Sequence, residues 1–325
     1  MASYIDTVMH PERYHGQNKR PPFFEGWYFK LIDASEQHKY AVIPGIFLSD
    51  DPARQHAFVQ VLDGQTGGSA YYTFPAEQFN AAPGDFDVRV GPNHFRADGI
   101  TLNLTGGELP LSGELRFQGG TPWPVTWLAP GIMGWYGWLS FMECYHGVVS
   151  FDHRIEGALN LGGQAMDFTG GRGYIEKDWG KSFPSAWVWM QTNHFAQPGT
   201  CLTASIAVIP FVGRSFPGFI IGLWHEQHLY RFATYTGAHT DHLEITDESV
   251  HWVVSDRQHR LEMRATRGEG GLLHGPSRTE MHKRVMETLK ASVQVRLTDL
   301  NGRERFSGTG QHAGLEVQGD LTTLR

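Results

Sequence analysis

The sequence contains only two cysteines, Cys144 and Cys201, so a disulfide framework is excluded and a reducing compartment is expected. It also lacks a basic surplus, since 27 Lys and Arg against 34 Asp and Glu leave a net charge of -7. Such a chain offers no polycationic surface to release counterions from DNA or RNA, and nucleic acid is not expected as a partner. Charged residues are few, 19% against 40% hydrophobic, which argues against disorder and provides for a large core. No apolar run of the secretory type opens the chain, because Asp6, His10, Glu12 and Arg13 interrupt Met1 to Lys19. The expected location is the cytoplasm. Metal and nucleotide signatures are missing too. His225-Glu226-Gln227-His228 is not a helical HExxH, His239 and His242 have no sequence neighbours that complete a ligand set, and Gly308-Thr309-Gly310 has no βαβ setting. No metal and no cofactor are expected.

The segment Phe117 to Met142 contains no Asp, Glu, Lys or Arg and is long enough to span a bilayer. Pro122, Pro124, Pro130, Gly131, Gly134 and Gly137 would break a lipid-exposed helix repeatedly, so a span is not expected. Its Trp123, Trp127, Trp135 and Trp138 suit an aromatic plug packed between domains. The alternative is an interfacial lip in peripheral contact with a membrane.

What the chain does have in excess is glycine, 39 residues, and aromatics, with 10 Trp, 11 Tyr and 20 Phe, a mixture that favours β structure with frequent turns. Period-two alternation recurs, as in Phe86, Val88, Val90 and in Leu111, Leu115, Phe117. The one stretch with helical spacing is Thr279 to Lys290, through Met281, Val285, Met286 and Leu289. An internal repeat also stands out. Trp27-Tyr28-Phe29 and Ala41-Val42-Ile43-Pro44 are matched by Trp187-Val188-Trp189 and Ala207-Val208-Ile209-Pro210, at offsets of 160 and 166 residues. The expected fold is all-β, with two tandem antiparallel β-barrel domains. The first covers residues 1–180 and carries the aromatic segment 117–142, and the second covers 181–325. Closed or nearly closed barrels of this kind can hold one small ligand.

Three clusters could carry chemistry. In an extended segment around Gly173 to Lys181, Glu176 and Asp178 share one face and Lys177 points to the other. Two adjacent carboxylates resist joint ionisation, so one of them could hold a proton near neutrality and act as a general acid. Spacing also allows a surface turn neutralised by Lys177 or Lys181. Downstream, Trp187, Trp189, Gln191 and Asn193 share a face, a wall of indoles and amides suited to a barrel lumen, with core tryptophans as the alternative. In Phe23 to Lys30, Glu25 shares a face with Trp27 and Phe29. A carboxylate among aromatics needs a lysine, a histidine or a backbone N–H, or else lies in water at a barrel mouth. In Glu143-Cys144-Tyr145-His146-Gly147, His146 could act as a base or be a satisfied structural histidine.

The segments FFEGWYFK at 23–30, ECYHG at 143–147 and GYIEKDWGKSFPSAWVWMQTNHF at 173–195 resemble the tocopherol cyclase family, and more distantly the lipocalin-like carotenoid hydratases. The resemblance implies paired lipocalin-like barrels. It further implies a cofactor-independent intramolecular cyclase, of isomerase or lyase type, that closes a chromanol ring on a prenylated benzoquinol. That reaction needs an acid for the prenyl alkene, a dry aromatic pocket for the tertiary cation, and a group that takes the phenol proton. The candidates are Glu176 or Asp178 as the acid, His146 as the base, and Trp27, Trp187 and Trp189 around the cation. Gln191 or Asn193 would orient the ring hydroxyls, and Glu25 and Phe29 complete the binding set. A carrier of a hydrophobic prenyl lipid and a carotenoid or terpenoid hydratase are the alternatives. Oligomeric state is not legible in the sequence.

Overall fold

The computed structural model describes residues 4–325. Residues 1–3, where the expected first domain begins, lie outside the described residues. Almost every regular element is a β-strand, and two antiparallel sheets account for them. In the first sheet, the meander Phe23–Ile32, Lys39–Leu48, His56–Asp63, Ser69–Pro75 is extended on its other side. There Arg172–Gly180 pairs with Phe23–Ile32, then Cys144–Leu161, Leu111–Gln118 and four short strands follow, ending at Phe79–Ala81. The second sheet repeats the plan. The meander Trp187–Thr192, Cys201–Phe211, Arg214–His225, His228–Ala233 is joined through Glu304–Gln318 to Met281–Asp299 and then to three strands ending at His239–Ile245. Each ladder has two ends, so the expected closed barrels are sheets curled around a core without ladder closure among the described residues.

Two compact units result. One holds the chain up to Phe183 together with Gly271–Val285, and the other holds Pro184–Gly270 with Met286–Arg325. The excursion Gly271–Val285 lies outside any two-segment division at residue 180. It lies against the first sheet, where Gln60 exchanges two hydrogen bonds with the backbone of His274 and Tyr71 stacks on the His274 ring at 4.1 Å. The helix expected over Thr279 to Lys290 is instead part of the strand Met281–Asp299. Glu287 and Thr288 pair with Glu304–Gln318, and the strand also pairs with Gly271–Pro276, so ladder bonds outweigh a short stretch of helical spacing. Among the described residues no helix is long and apolar enough to cross a membrane.

The core of the first unit is lined by Trp27, Phe29, Leu31 and Ile175, with Phe86, Phe95 and Phe117. Trp27 stacks on Phe86 at 5.5 Å, and Phe29 packs on Phe86, Phe95 and Phe117 at 5.8–6.1 Å between ring centroids. These rings fill the interior that an open barrel would leave for a ligand. Trp27 and Phe29 are therefore core residues. In the second unit the core takes Val188 and Met190, so Trp187, Trp189 and Gln191 lie on the opposite face of their strand from the lumen expected for them, although all three are buried. The register explains why. Trp187 pairs with Ala207 as Lys30 pairs with Ala41, so the topological equivalent of Trp187 is Lys30, not Trp27. An offset of three residues reverses the face on which a strand presents a side chain.

Candidate active site

The strand Arg172–Gly180 lies between Phe23–Ile32 and Cys144–Leu161, and its alternation presents a different polar cluster on each face. Lys177 and Trp179 point with Trp27 and Glu25 toward the core, and Glu176 and Asp178 point away from it.

On the core face, Glu25 and Lys177 are fully buried and 2.6 Å apart. The Lys177 ammonium has three N–H donors and three acceptors: Glu25 Oε1, His15 Nδ1 at 2.6 Å and the carbonyl of Arg13. Because Lys177 can only donate, His15 Nδ1 accepts. His15 Nε2–H then donates to the Thr7 carbonyl at 3.1 Å, and the His15 backbone N–H donates to both Glu25 oxygens at 3.0 Å. Burial and the adjacent ammonium lower the His15 pKa and keep the ring neutral. Burial alone would raise Glu25, but Lys177 and His15 outweigh it and hold the carboxyl below its ordinary range. Burial lowers Lys177 to about 8 against the pull of Glu25. The ammonium also lies 4.5 Å and 5.0 Å from the ring centroids of Trp179 and Trp27. Glu25 thus finds all three partners considered from the sequence: a lysine, a histidine and a backbone N–H. Together they tie the N-terminal segment to the sheet. Glu25 and Trp27 are committed to this network and to the core, so neither is placed to line a substrate site.

On the other face, cross-strand pairing sets His146 opposite Asp178, with His146 Nδ1 2.9 Å from Asp178 Oδ1 and Nε2 3.6 Å from Glu176 Oε2. Tyr174 donates its hydroxyl to Glu176 Oε2 at 2.6 Å. The three residues proposed from the sequence as catalytic therefore meet. The proton, however, belongs to the imidazole. Burial would lower the His146 pKa, but the charges of Glu176 and Asp178 and the Asp178 hydrogen bond raise it to about 9. A pKa raised in this way favours the imidazolium at neutral pH, a form that does not serve as the resting base expected of His146. The sign of the linked stability follows. A folded pKa raised from 6.5 contributes stability that is complete below pH 6.5 and is lost as the pH rises through 9. Denaturant titrations of wild type and His146→Gln should therefore converge by about 3 kcal/mol between pH 6.5 and 9. Their difference cancels the opposite contribution of Lys177, whose lowered pKa makes stability rise above pH 8. A pH-independent difference would show that the carboxylates do not hold the proton on His146.

A cleft of about 290 Å³ opens beside these clusters, lined among others by Pro11, Tyr14, Met133, Tyr145, His146 and Trp179. The Trp179 indole is stacked between His15 at 4.3 Å and Tyr145 at 5.4 Å. Tyr145, Trp179 and His15 are site residues that the sequence reading did not single out, and Lys177 entered it only as a charge that could neutralise its neighbours. For Lys177 a signal existed, since alternation sets it on the apolar face of its strand with Ile175 and Trp179, where an unpaired cation is not tolerated.

In the second unit, Trp187 Nε1–H donates to Glu316 Oε2 at 2.6 Å, and Asn193 Oδ1 lies 2.9 Å from His194 Nδ1. Gln191 and Asn193 are fully buried. Among the described residues two clusters bring three metal-ligand atoms within 4.8 Å of one another. One is His146, Glu176 and Asp178, where His146 Nδ1 lies 2.9 Å from Asp178 Oδ1 and Nε2 3.6 Å from Glu176 Oε2. In His242, Glu244 and His251, the pairing of His239–Ile245 with Ser249–Ser255 brings His251 to His242 and to Glu244, its neighbour two residues on.

A model of the tocopherol cyclase-like family matches residues 121–319. A probable chloroplastic tocopherol cyclase from Oryza sativa subsp. japonica is 24% identical over 318 residues, covering 79% of this chain and 66% of that protein. A chloroplastic tocopherol cyclase from Zea mays is 26% identical over 144 residues, covering 42% of this chain and 30% of that protein. The chain thus spans less than two thirds of the length of these relatives. The crystal structure of CghA with Sch210972 has the same fold at 13% identity, with a TM-score of 0.55 over 92% of this chain and 89% of that one. With the family model matched over more than half its length, the chain belongs to the tocopherol cyclase-like family.

Proposed function

We propose that the protein is an acid-initiated cyclase that closes a chromanol ring on a prenylated benzoquinol. The observation that carries this reading is the ring of His146 set between Glu176 and Asp178 beside an aromatic-walled cleft. Asp178 keeps 30% of its side chain accessible, while Glu176 is nearly enclosed and engaged by Tyr174. Asp178, the more accessible of the two, is the carboxyl we assign to proton delivery. The His146 ring, 2.9 Å away, is placed to stabilise the negative charge that develops on Asp178 as it delivers a proton. Glu176 is the carboxyl whose charge does most to raise the His146 pKa against burial.

Protonation at the less substituted alkene carbon leaves a tertiary cation, the phenol oxygen adds to it, and the phenol proton returns to the Asp178 carboxylate. Substrate and product are isomers, so no proton or electron is gained overall. Tyr145 and Trp179 supply π faces on the wall of the cleft, in place of Trp27, whose ring faces Lys177 and the core. At about 290 Å³ the cleft is at the lower limit for ligand pockets, which suits the ring and the first prenyl unit with the rest of the chain extending outward.

The test is anaerobic incubation with reduced 2-methyl-6-phytylbenzoquinol, followed by chiral chromatography of the extract. One chromanol enantiomer in molar excess over protein is the expected result. Stoichiometric retention of unchanged quinol would point to a carrier and overturn the cyclase. Incorporation of labelled water oxygen at carbon would make it a hydratase instead.

A further inference from the structure

We infer that the tip of the charge-free segment, together with the short helix Tyr4–Val8, is a docking surface for the headgroup–acyl boundary of an electrically neutral lipid bilayer. The inference deepens the proposed function, on which it rests for the identity of the oily substrate. Six of the ten large apolar side chains exposed among the described residues fall in these two segments: Tyr4, Ile5, Trp127, Leu128, Trp135 and Phe141. The other four, Val212, Leu272, Met286 and Leu300, are dispersed along the rest of the sequence. Trp127 is 65% exposed and Leu128 is 87% exposed, an arrangement that a plug would not leave.

The tip is exposed but built. Trp127 and Trp138 stack at 5.8 Å and 11°, and Trp138 Nε1–H donates to the Trp127 carbonyl at 2.9 Å. Tyr4 donates its hydroxyl to the Trp138 carbonyl at 2.5 Å, which ties the helix to the segment. Below the tip, Trp123 is buried and stacks on Phe151 at 5.4 Å. The exposed rings are therefore preorganised by a fixed root, and little ordering is left to oppose insertion.

The chemistry selects lipid as the occupant. Indole and phenol rings favour the bilayer boundary, where an apolar body and a polar edge are both accommodated. From Phe117 to Met142 there is no Asp, Glu, Lys or Arg, so this part of the surface can enter that boundary without desolvating a formal charge, and the one acid of the helix, Asp6, is paired with Arg13. The net charge of -7 opposes an anionic surface, which selects neutral lipid. Position gives the surface a use. Pro130, Met133, Gly137 and Ser140 of the same segment line the cleft that His146 borders, so docking would put the cleft mouth at the lipid and let a prenyl chain enter without crossing water.

The test is flotation of the full chain with phosphatidylcholine vesicles containing no quinol, for wild type and for a Trp127→Ser, Leu128→Ser, Phe141→Ser variant. Wild type should float, at low and high salt alike, and brominated acyl chains should quench its tryptophan fluorescence. The variant should lose at least about tenfold in partitioning. Leu128→Asp alone, at the most exposed position, should weaken flotation in the same direction and covers the case in which the triple variant fails to fold. Wild type that stays unbound, or that floats only with phosphatidylglycerol and is released by salt, would overturn the inference. So would a dimer of the chain that the three substitutions abolish, with no flotation. Protein that floats but does not cyclise the quinol would overturn the cyclase reading alone. Protein that cyclises detergent-dispersed quinol but does not float would overturn the docking alone.

Discussion

A Lys177→Met variant is expected to unfold at pH 7 with about 3–5 kcal/mol less free energy than wild type, the usual consequence of removing one member of a buried ion pair. Both members are fully buried, and the ammonium meets three acceptors with three donors, so no water can replace it. Its removal leaves the Glu25 carboxylate in an aromatic environment with only His15 to meet it, and Glu25 would take up a proton instead. The double variant Glu25→Gln, Lys177→Met should recover much of the loss, because two neutral side chains carry no uncompensated charge. Urea titrations of the four proteins give the coupling directly. Lys177→Met should also release the N-terminal segment, which hangs on the Arg13 carbonyl and the His15 ring, and hydrogen exchange at His15 should rise. A Lys177→Met variant within 1 kcal/mol of wild type, on the scale set for buried pairs, would show that the pair is hydrated in solution.

Much of this arrangement could be read before the coordinates. Period-two alternation set Glu176 and Asp178 on one face and Lys177 on the other, as the pairing with Phe23–Ile32 shows. Alternation is a local property of an extended chain and needs no tertiary knowledge. The repeat anticipated two sheets with the same strand plan, yet its tryptophan match was misleading. Trp27 and Trp187 share a letter but differ by three positions in the ladder, and register is fixed by partners that the motif does not contain. The strand Met281–Asp299 was illegible for a similar reason, since its partner decided its conformation. His15 lies 162 residues from Lys177 in sequence, and no spacing rule connects them. The protonation state failed differently. Two carboxylates alone would share a proton on oxygen, but an imidazole between them is the stronger base, and its position depends on the cross-strand pairing of His146 with Asp178.

Asp178→Asn should lower kcat for the prenylated quinol by roughly 10²–10⁴, the ordinary loss for a general acid, with little change in KM. An amide fills the same space and still reaches His146, so the loss would report proton delivery rather than shape. Unchanged turnover in this variant would move delivery to Glu176. His146→Gln should fall by a similar factor for another reason, because it removes the positive charge that stabilises the carboxylate left behind. The pH profile separates these roles. His146 carries its proton below about 9 and loses it above. The wild-type rate should therefore steepen by about one further power of ten per pH unit as the pH passes that value. In His146→Gln the steepening should be absent while the residual rate keeps its slope. Glu176→Gln should shift the break to lower pH, since one of the two charges that hold the proton on His146 is gone. A break that stays in place in Glu176→Gln would show that Asp178 alone sets the proton affinity of His146. A wild-type profile with no break near pH 9 would remove the imidazolium from the mechanism.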